Sequence, residues 1–213
     1  MARTKSSRAW LKRHVSDPYV HKAKAEGYRS RAAYKLIEIA ERDRLLRPGA
    51  VVVDLGAAPG GWSQALAERV GRSGRVIAVD FREIEPIPGV AVIRGDFREE
   101  EALHQVEEAL GGRSPDLVVS DMAPNVSGVK ATDQALSLHL CELALDFAGA
   151  HLKPEGALLV KAFQGAGYPE FLAAMRRTFV DVASRKPSAS RGDSSEMFLV
   201  GRKLRAPGVS RAR

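Results

Sequence analysis

Cysteine is nearly absent from this chain of 213 residues: Cys141 stands alone. No internal disulfide can form, which fits a reducing compartment such as the cytoplasm. Cys141 lies in "LHLCELALDFAGA", a helical pattern, and reads as a buried core thiol rather than a nucleophile. Long apolar runs are missing too. No stretch approaches the ~18 residues of a membrane span, and the basic, polar amino terminus lacks the apolar segment of a signal peptide. His14, His21, His104, His139 and His151 are scattered without metal-ligand spacing, so no metal centre is expected. Ser63 and Ser127 lack a nucleophile-elbow motif and a neighbouring histidine. Internal repeats and low-complexity tracts are likewise missing.

What the chain does have is charge, unevenly spread. Residues 1–35 hold ten Lys/Arg against two Asp/Glu, and residues 185–213 hold eight against two. The stretch between them holds fifteen against twenty-two, so an acidic body carries basic ends. Such polarity points to a polyanion partner, most simply nucleic acid, although charge runs often only keep a surface solvated. Trp10, Tyr19, Tyr28 and Tyr34 sit among the amino-terminal cations. Aromatics so placed can stack on bases while cations hold phosphates, as in RNA binders. Lys22, Lys24, Arg29 and Arg31, with Arg185, Lys186 and Arg191 near the other end, are the candidate phosphate contacts. No long basic amphipathic helix favours a membrane surface.

Residues 1–15 read as loosely ordered. "SDPYVHKAKAEG" reads as a short helix capped by Ser16 or Asp17, with Pro18 in its first turn and Gly27 ending it. A second helix, with Ser30 as N-cap, shows an apolar stripe of Ala33, Leu36, Ile37 and Ala40. After "RPG" the pattern alternates between strands and helices. "AVVVDLG", "GRVIAVD", "VAVIRGD", "DLVVSD" and "GALLVKAF" are strands, with helices predicted near 61–70, 99–110, 133–151 and 168–177. "FVDVASRKP" and "SEMFLVGRKL" suit an antiparallel pair, and "APGVSRAR" reads as a frayed tail. Repeated βα units imply an α/β fold with a doubly wound, mostly parallel sheet.

Ligands of such sheets sit beyond the carboxyl ends of the strands. The first strand there opens into "DLGAAPGGW", where Gly56, Gly60 and Gly61 allow close approach of a ligand. The spacing is neither G-x-G-x-x-G nor a P-loop, and Pro59 interrupts it, so a nicotinamide reading is weak. Asp80 ends the second strand, where a carboxylate binds a ribose diol, and Asp96 ends the third, within reach of an adenine amino group. With Asp54 and Asp121, four carboxylates converge on this edge. A diphosphate would be repelled by them. S-adenosylmethionine, which has adenine, ribose and a sulfonium but no phosphate, suits that charge inventory.

Lys161 poses a further question, because it follows the continuous apolar run "ALLV". Asp121 ends the neighbouring strand, Glu196 opens the last one, and Lys35 can reach in from the second helix. A lysine abstracts a proton only when neutral, and its ordinary pKa is about 10.4. A sulfonium and a second ammonium lower that value and carboxylates raise it. Two lysines and two carboxylates therefore suit general-base chemistry on a ribose 2′-hydroxyl. From spacing alone, a structural ion-pair network is an equal reading.

"YRSRAAYKLIE", "DLGAAPGGWSQ", "SDMAPNVSG", "VKAFQG" and "SRGDSSEMFLV" together resemble the FtsJ-type RNA 2′-O-methyltransferases, from about residue 10 to 204. The resemblance implies a Rossmann-like class I methyltransferase with a seven-stranded sheet, an antiparallel last strand and helices on both faces. It implies S-adenosylmethionine as cofactor and methylation of a uridine ribose in 23S rRNA within the large ribosomal subunit. The family's Lys-Asp-Lys-Glu tetrad matches Lys35, Asp121, Lys161 and Glu196. Lys161 is then the base, Asp121 orients it, and Lys35 and Glu196 position ribose and lysine. The cofactor positions match Gly60, Trp62, Asp80, Asp96 and Asp121, alongside Gly56 and Pro59 of the glycine turn. The expected organisation is a basic RNA-binding extension (1–29), a catalytic domain (30–204) and a basic tail (205–213), acting as a monomer. Rival readings are 2′-O-methylation of a tRNA or an mRNA cap, or a noncatalytic assembly factor on the same fold.

Overall fold

The computed structural model describes residues 15–125, 127–192 and 194–206. The loosely ordered start as far as His14, Trp10 and nearly all of the expected tail lie outside these residues. Thirteen elements follow along the described chain. They are α1 (Pro18–Glu26), α2 (Ala33–Asp43), β1 (Val51–Leu55), α3 (Gly61–Val70), β2 (Arg75–Asp80), β3 (Val90–Arg94) and α4 (Glu100–Leu110). Then come β4 (Leu117–Ser120), α5 (Lys130–His151), β5 (Ala157–Phe163), α6 (Tyr168–Thr178), β6 (Phe179–Arg185) and β7 (Glu196–Leu204).

The strands form one sheet in the order β3-β2-β1-β4-β5-β7-β6. β1 pairs in parallel with β2 and β4, and β5 in parallel with β4; β7 runs antiparallel to both β5 and β6. The expected seven-stranded, mostly parallel sheet is therefore present. Its winding reverses between β1 and β4, which opens a crevice at their carboxyl ends. The central strands are apolar throughout because helices cover both faces. Val53, Leu55, Val118, Leu158 and Val160 pack on the α4–α5–α6 side. Val52, Val119, Leu159, Phe198 and Val200 pack on the α2–α3 side. No helix among the described residues is long and apolar enough to cross a membrane.

Three helix readings change in the structure. Ser30 does not cap α2: its hydroxyl accepts from Ala32 N (2.9 Å) in a preceding turn, and the helix starts at Ala33. The buried stripe uses Ile39, whereas Ile37 is half-buried, because the face toward the sheet runs through Ala33, Leu36, Ile39, Ala40 and Asp43. α5 begins three residues before the predicted Asp133. The Asp133 carboxylate reaches back to Ser127 N (2.7 Å) and Gly128 N (3.1 Å), so it closes the helix entry from inside the first turns.

The amino-terminal tyrosines also take a different role from base stacking. Tyr34 is buried, with Tyr19 and Tyr28 against it at centroid distances of 5.6 and 5.7 Å. Their hydroxyls bond Ser188, Glu68 and Glu26, so the cluster glues α1 to the sheet domain. Asp17, as expected, caps α1 through Tyr19 N (3.0 Å).

At the far end of α2, the buried Asp43 binds Arg185 Nη2 (2.6 Å) and Nε (2.7 Å) and Arg202 Nη2 (2.9 Å). Burial alone would raise its carboxyl, but the Arg185 hydrogen bond and the charges of both arginines outweigh it and hold the group below the usual range. Its contribution is therefore full above the ordinary carboxylate pKa and fades as pH falls through the lowered value. Asp43→Ala strands two arginine charges and is expected to cost about 3 kcal/mol near neutral pH. Urea unfolding is expected to show that gap closing in acid.

Candidate active site

The site follows from the two-residue alternation of strands. Val52, Val119, Leu159 and Val200 face α2 and α3, so the same period carries Asp54, Asp121, Lys161 and Glu196 to that face near the carboxyl edge. The last registered pair between β4 and β5 is Ser120 with Val160. One residue further, Asp121 has left its strand while Lys161 is still held in β5 by Phe198 of β7.

The Lys161 ammonium donates to the Asp121 backbone carbonyl at 2.7 Å and lies 2.8 Å from Asp121 Oδ1. That second contact lacks hydrogen-bond alignment, so Oδ1 is left without a donor. Lys35 arrives from α2 and donates to both oxygens of Glu196, at 2.7 and 2.8 Å. Ser190 Oγ adds a third bond to Glu196 Oε1 at 2.9 Å. Burial opposes ionisation of Glu196, yet the Lys35 charge and hydrogen bond, with Ser190 and Lys161, hold its carboxyl below the ordinary range. Two lysine–carboxylate pairs thus stand on one face, both lysines buried or half-buried.

Beside them opens a cleft of about 440 Å³, lined by Gly56, Asp80, Asp96, Asp121 and Met122 among others. Asp80 receives Ala58 N (2.9 Å) and Arg82 N (2.9 Å), and Arg82 also forks onto its carboxylate. Asp96 is bonded by Arg98 N (3.0 Å) and Nε (2.9 Å), which keeps its carboxyl below the usual range. Burial raises the Asp54 carboxyl to about 7; the Ser63 hydroxyl counters this, and Asp121 and Asp80 add to it. Burial likewise pushes the Cys141 thiol up to about 12, and its sulfur bonds the Lys161 carbonyl.

Other sequence-predicted residues stand back from the cleft wall. The Trp62 indole is buried and donates to Ala32 O (2.7 Å), joining α3 to the start of α2. Gly60, at φ +104°, lies where a Cβ would strike Ile87 and Arg29. Pro59 is exposed, and its carbonyl receives Arg29. Of the basic candidates, Lys22 and Lys24 are exposed on α1. Arg29 is bonded to the Glu85 and Pro86 carbonyls, Arg31 to Asp17 and the Ala189 carbonyl, Arg185 to Asp43 and Lys186 to the carbonyls of Ser194 and Glu196. Arg191 lies 3.9 Å from Asp17 and is half-exposed. Sequence reasoning missed Arg82 and Arg98, although the doubled "DFR" at 80–82 and 96–98 signals both. It also missed Ser190, and the cleft-lining Met122, Phe81 and Leu136, for which no pattern was available.

A doubly wound sheet with a reversed strand near its edge, and a switch-point crevice rimmed by acids where nucleotide folds offer phosphate-binding amides, is the arrangement of Rossmann-like methyltransferases. Residues 28–204 match the FtsJ-like methyltransferases, and the chain belongs to that family. The ribosomal RNA large subunit methyltransferase E of Azoarcus sp. (strain BH72) is 58% identical over 205 residues, spanning 96% of this chain and 100% of that one. Its namesake from Chromobacterium violaceum is 57% identical, spanning 95% of this chain and 98% of its own. A solved structure of a ribosomal RNA methyltransferase from Plasmodium falciparum matches with TM-score 0.73 and 28% identity, over 83% of this chain and 98% of that one. An S-adenosylmethionine-dependent O-methyltransferase from Thermotoga maritima shares the fold at TM-score 0.56 and 15% identity, over 81% of this chain and 65% of its own.

S-adenosylmethionine is the methyl donor of this class, and the cleft fits it. The volume is in the range of small-molecule sites, and the Asp80, Asp96 and Asp121 carboxylates on its wall offer negative charge to a cationic nucleoside. Gly56 has φ +75°, and a Cβ there would lie 2.6 Å from Met122 Cγ and 3.0 Å from its backbone. Gly56→Ala must displace Met122 and the adjacent Asp121. It is expected to weaken cofactor binding at least about tenfold by titration calorimetry, equivalent to ~1.4 kcal/mol.

Proposed function

We propose that this chain transfers the methyl group of S-adenosylmethionine to the 2′-hydroxyl of a uridine ribose in 23S rRNA of the large ribosomal subunit, with Lys161 as general base. The observation that carries the base assignment is the Lys161 amine, buried beside the cleft and fixed by the Asp121 carbonyl at 2.7 Å. Near-full-length identity to proteins named ribosomal RNA large subunit methyltransferase E supports the substrate.

When bound, the cofactor supplies an electrophilic methyl carbon on a positively charged sulfur. Gly56, Asp80, Asp96 and Asp121 would hold it along the cleft, with Gly60 and Trp62 shaping the turn from behind. As the ribose oxygen bonds to the methyl carbon and the methyl–sulfur bond breaks to leave a neutral thioether, Lys161 would take the hydroxyl proton as a neutral amine. Asp121 aims that amine through its carbonyl and stabilises the ammonium that forms. Lys35, held by Glu196, supplies a second cation for the ribose and its phosphate, while Glu196 keeps the two lysines from confronting one another uncompensated. Alignment of this kind is worth about 7–11 kcal/mol and general-base help about 10²–10⁴-fold.

For the RNA, we assign phosphate contact to Lys22, Lys24 and Arg191. Arg31 and Lys186 bond inside the protein and hold α1 and the β6–β7 loop in place beside the tetrad, while Arg29 ties the α1–α2 link to the β2–β3 loop and Arg185 ties β6 to α2. Residues 1–29 then act as an RNA-binding extension on a catalytic domain of residues 30–204, with 205–213 as a basic tail. All four tetrad residues come from a single chain, which supports action as a monomer, in the cytoplasm with its ribosomal substrate.

Lys161→Ala is expected to lower turnover at least about 100-fold with cofactor affinity near normal. Single-turnover transfer from labelled cofactor checks this, and unreduced turnover would remove Lys161 from the base role. Mapping of 2′-O-methyl marks on total RNA, with and without this protein, is expected to show loss of one uridine mark in 23S rRNA. A lost mark on tRNA or mRNA caps instead would overturn the substrate assignment.

A further inference from the structure

Asp54 is left over from the reaction just described. It is 1% exposed, and Oδ2 accepts the Ser63 hydroxyl at 2.6 Å while Oδ1 has no hydrogen-bond partner. It lies two residues before cleft-lining Gly56, on the pleat face shared with Asp121 and Lys161. Its titratable neighbours from the flanking strand ends are Asp121 and Asp80, and α3 presents only the neutral Ser63 to it. Both neighbours have cations of their own: Lys161 lies against Asp121, and Arg82 against Asp80. Among the described residues no ion pair reaches Asp54. A buried carboxylate without a countercharge is costly, and such a group normally keeps its proton.

We propose that Asp54 is a proton-linked selectivity residue of the cofactor cleft: binding of the cationic methyl donor drives it to the ionised form, and the spent product leaves it in the same protonation balance as the free protein. The inference rests on S-adenosylmethionine occupying this cleft. The donor has one net positive charge, from a sulfonium and an ammonium against one carboxylate. S-adenosylhomocysteine lacks the sulfonium and is neutral overall, so only the donor brings the charge that a buried Asp54 anion needs. With the free carboxyl near 7, the sign is fixed. Below that pH donor binding must expel a proton and weakens as pH falls; above it Asp54 is already ionised and donor affinity levels off. Product affinity carries no such dependence, so the preference for donor over product grows as pH rises through neutrality.

Titration calorimetry of the full chain near pH 7, in buffers of different ionisation enthalpy, tests this. Donor binding is expected to release about half a proton, product binding close to none, and Asp54→Asn is expected to abolish the release. Donor affinity is expected to rise by no more than about tenfold per pH unit below the midpoint, as for one linked proton. Equal release with donor and product, or undiminished release in Asp54→Asn, overturns the proposal. Failure of the donor to bind at all overturns the cleft's assignment, and the proposal with it. Carbon NMR of the native chain's carboxyls reads the same event without a variant at Asp54. Its resonance is expected to titrate near neutrality in the free protein, at lower pH with donor, and at higher pH in Ser63→Ala. A resonance already ionised at pH 5 in the free protein sinks the idea.

Discussion

The parallel pairing of β4 with β5 is the constraint on which the site depends. It ends at Ser120 and Val160, so the next residue of each strand is Asp121 and Lys161, on the same pleat face. A shift of one residue in either strand would turn one of the two to the opposite face of the sheet. Both faces of these strands are apolar, so what makes that shift costly is the charge itself, which would be turned toward the apolar α4–α5–α6 core and away from its partner. The contact between Lys161 and Asp121 is thus fixed by the strand register that carries both residues to one face.

Charge is balanced locally throughout the crevice. Lys161 stands with Asp121, Lys35 with Glu196, Arg82 with Asp80 and Arg98 with Asp96. Buried ions survive only when paired and hydrogen-bonded, and Asp54 is the buried carboxylate without an ion-pair partner among the described residues. The two arginines are exposed while the carboxylates they cover are buried or half-buried. They can therefore yield those oxygens to a ligand at little cost in packing.

α2 serves as the strut that brings the second lysine in. Its amino-terminal half carries Lys35 to Glu196, and its carboxyl-terminal residue Asp43 is clamped by Arg185 and Arg202. Both ends of the helix are thus tied to the β6–β7 pair. α1 in turn is fastened to α2 by the tyrosine cluster, so the two exposed lysines of α1 are carried on a surface rigidly related to the tetrad.

Most of the architecture was legible from local chemistry. Apolar runs, Gly and Pro breaks and the period of two sufficed for the strands and the doubly wound sheet, and placed Asp121, Lys161 and Glu196 at one sheet edge; their grouping with Lys35 as a tetrad came from the family resemblance. The glycine turn and strand-end acids marked the cleft because those positions depend on backbone geometry and formal charge, which are properties of short segments. What tertiary structure alone decided was how donors were spent. Arg29, Arg31, Arg185 and Lys186 looked like free cations, and Tyr19, Tyr28 and Tyr34 like a stacking platform, until residues distant in the chain supplied partners for them. The same holds for Ser190 on Glu196, and for the missing partner of Asp54. Hydrogen bonding and burial between distant segments are set by packing in three dimensions, and composition along the chain carries no record of which cation meets which acid.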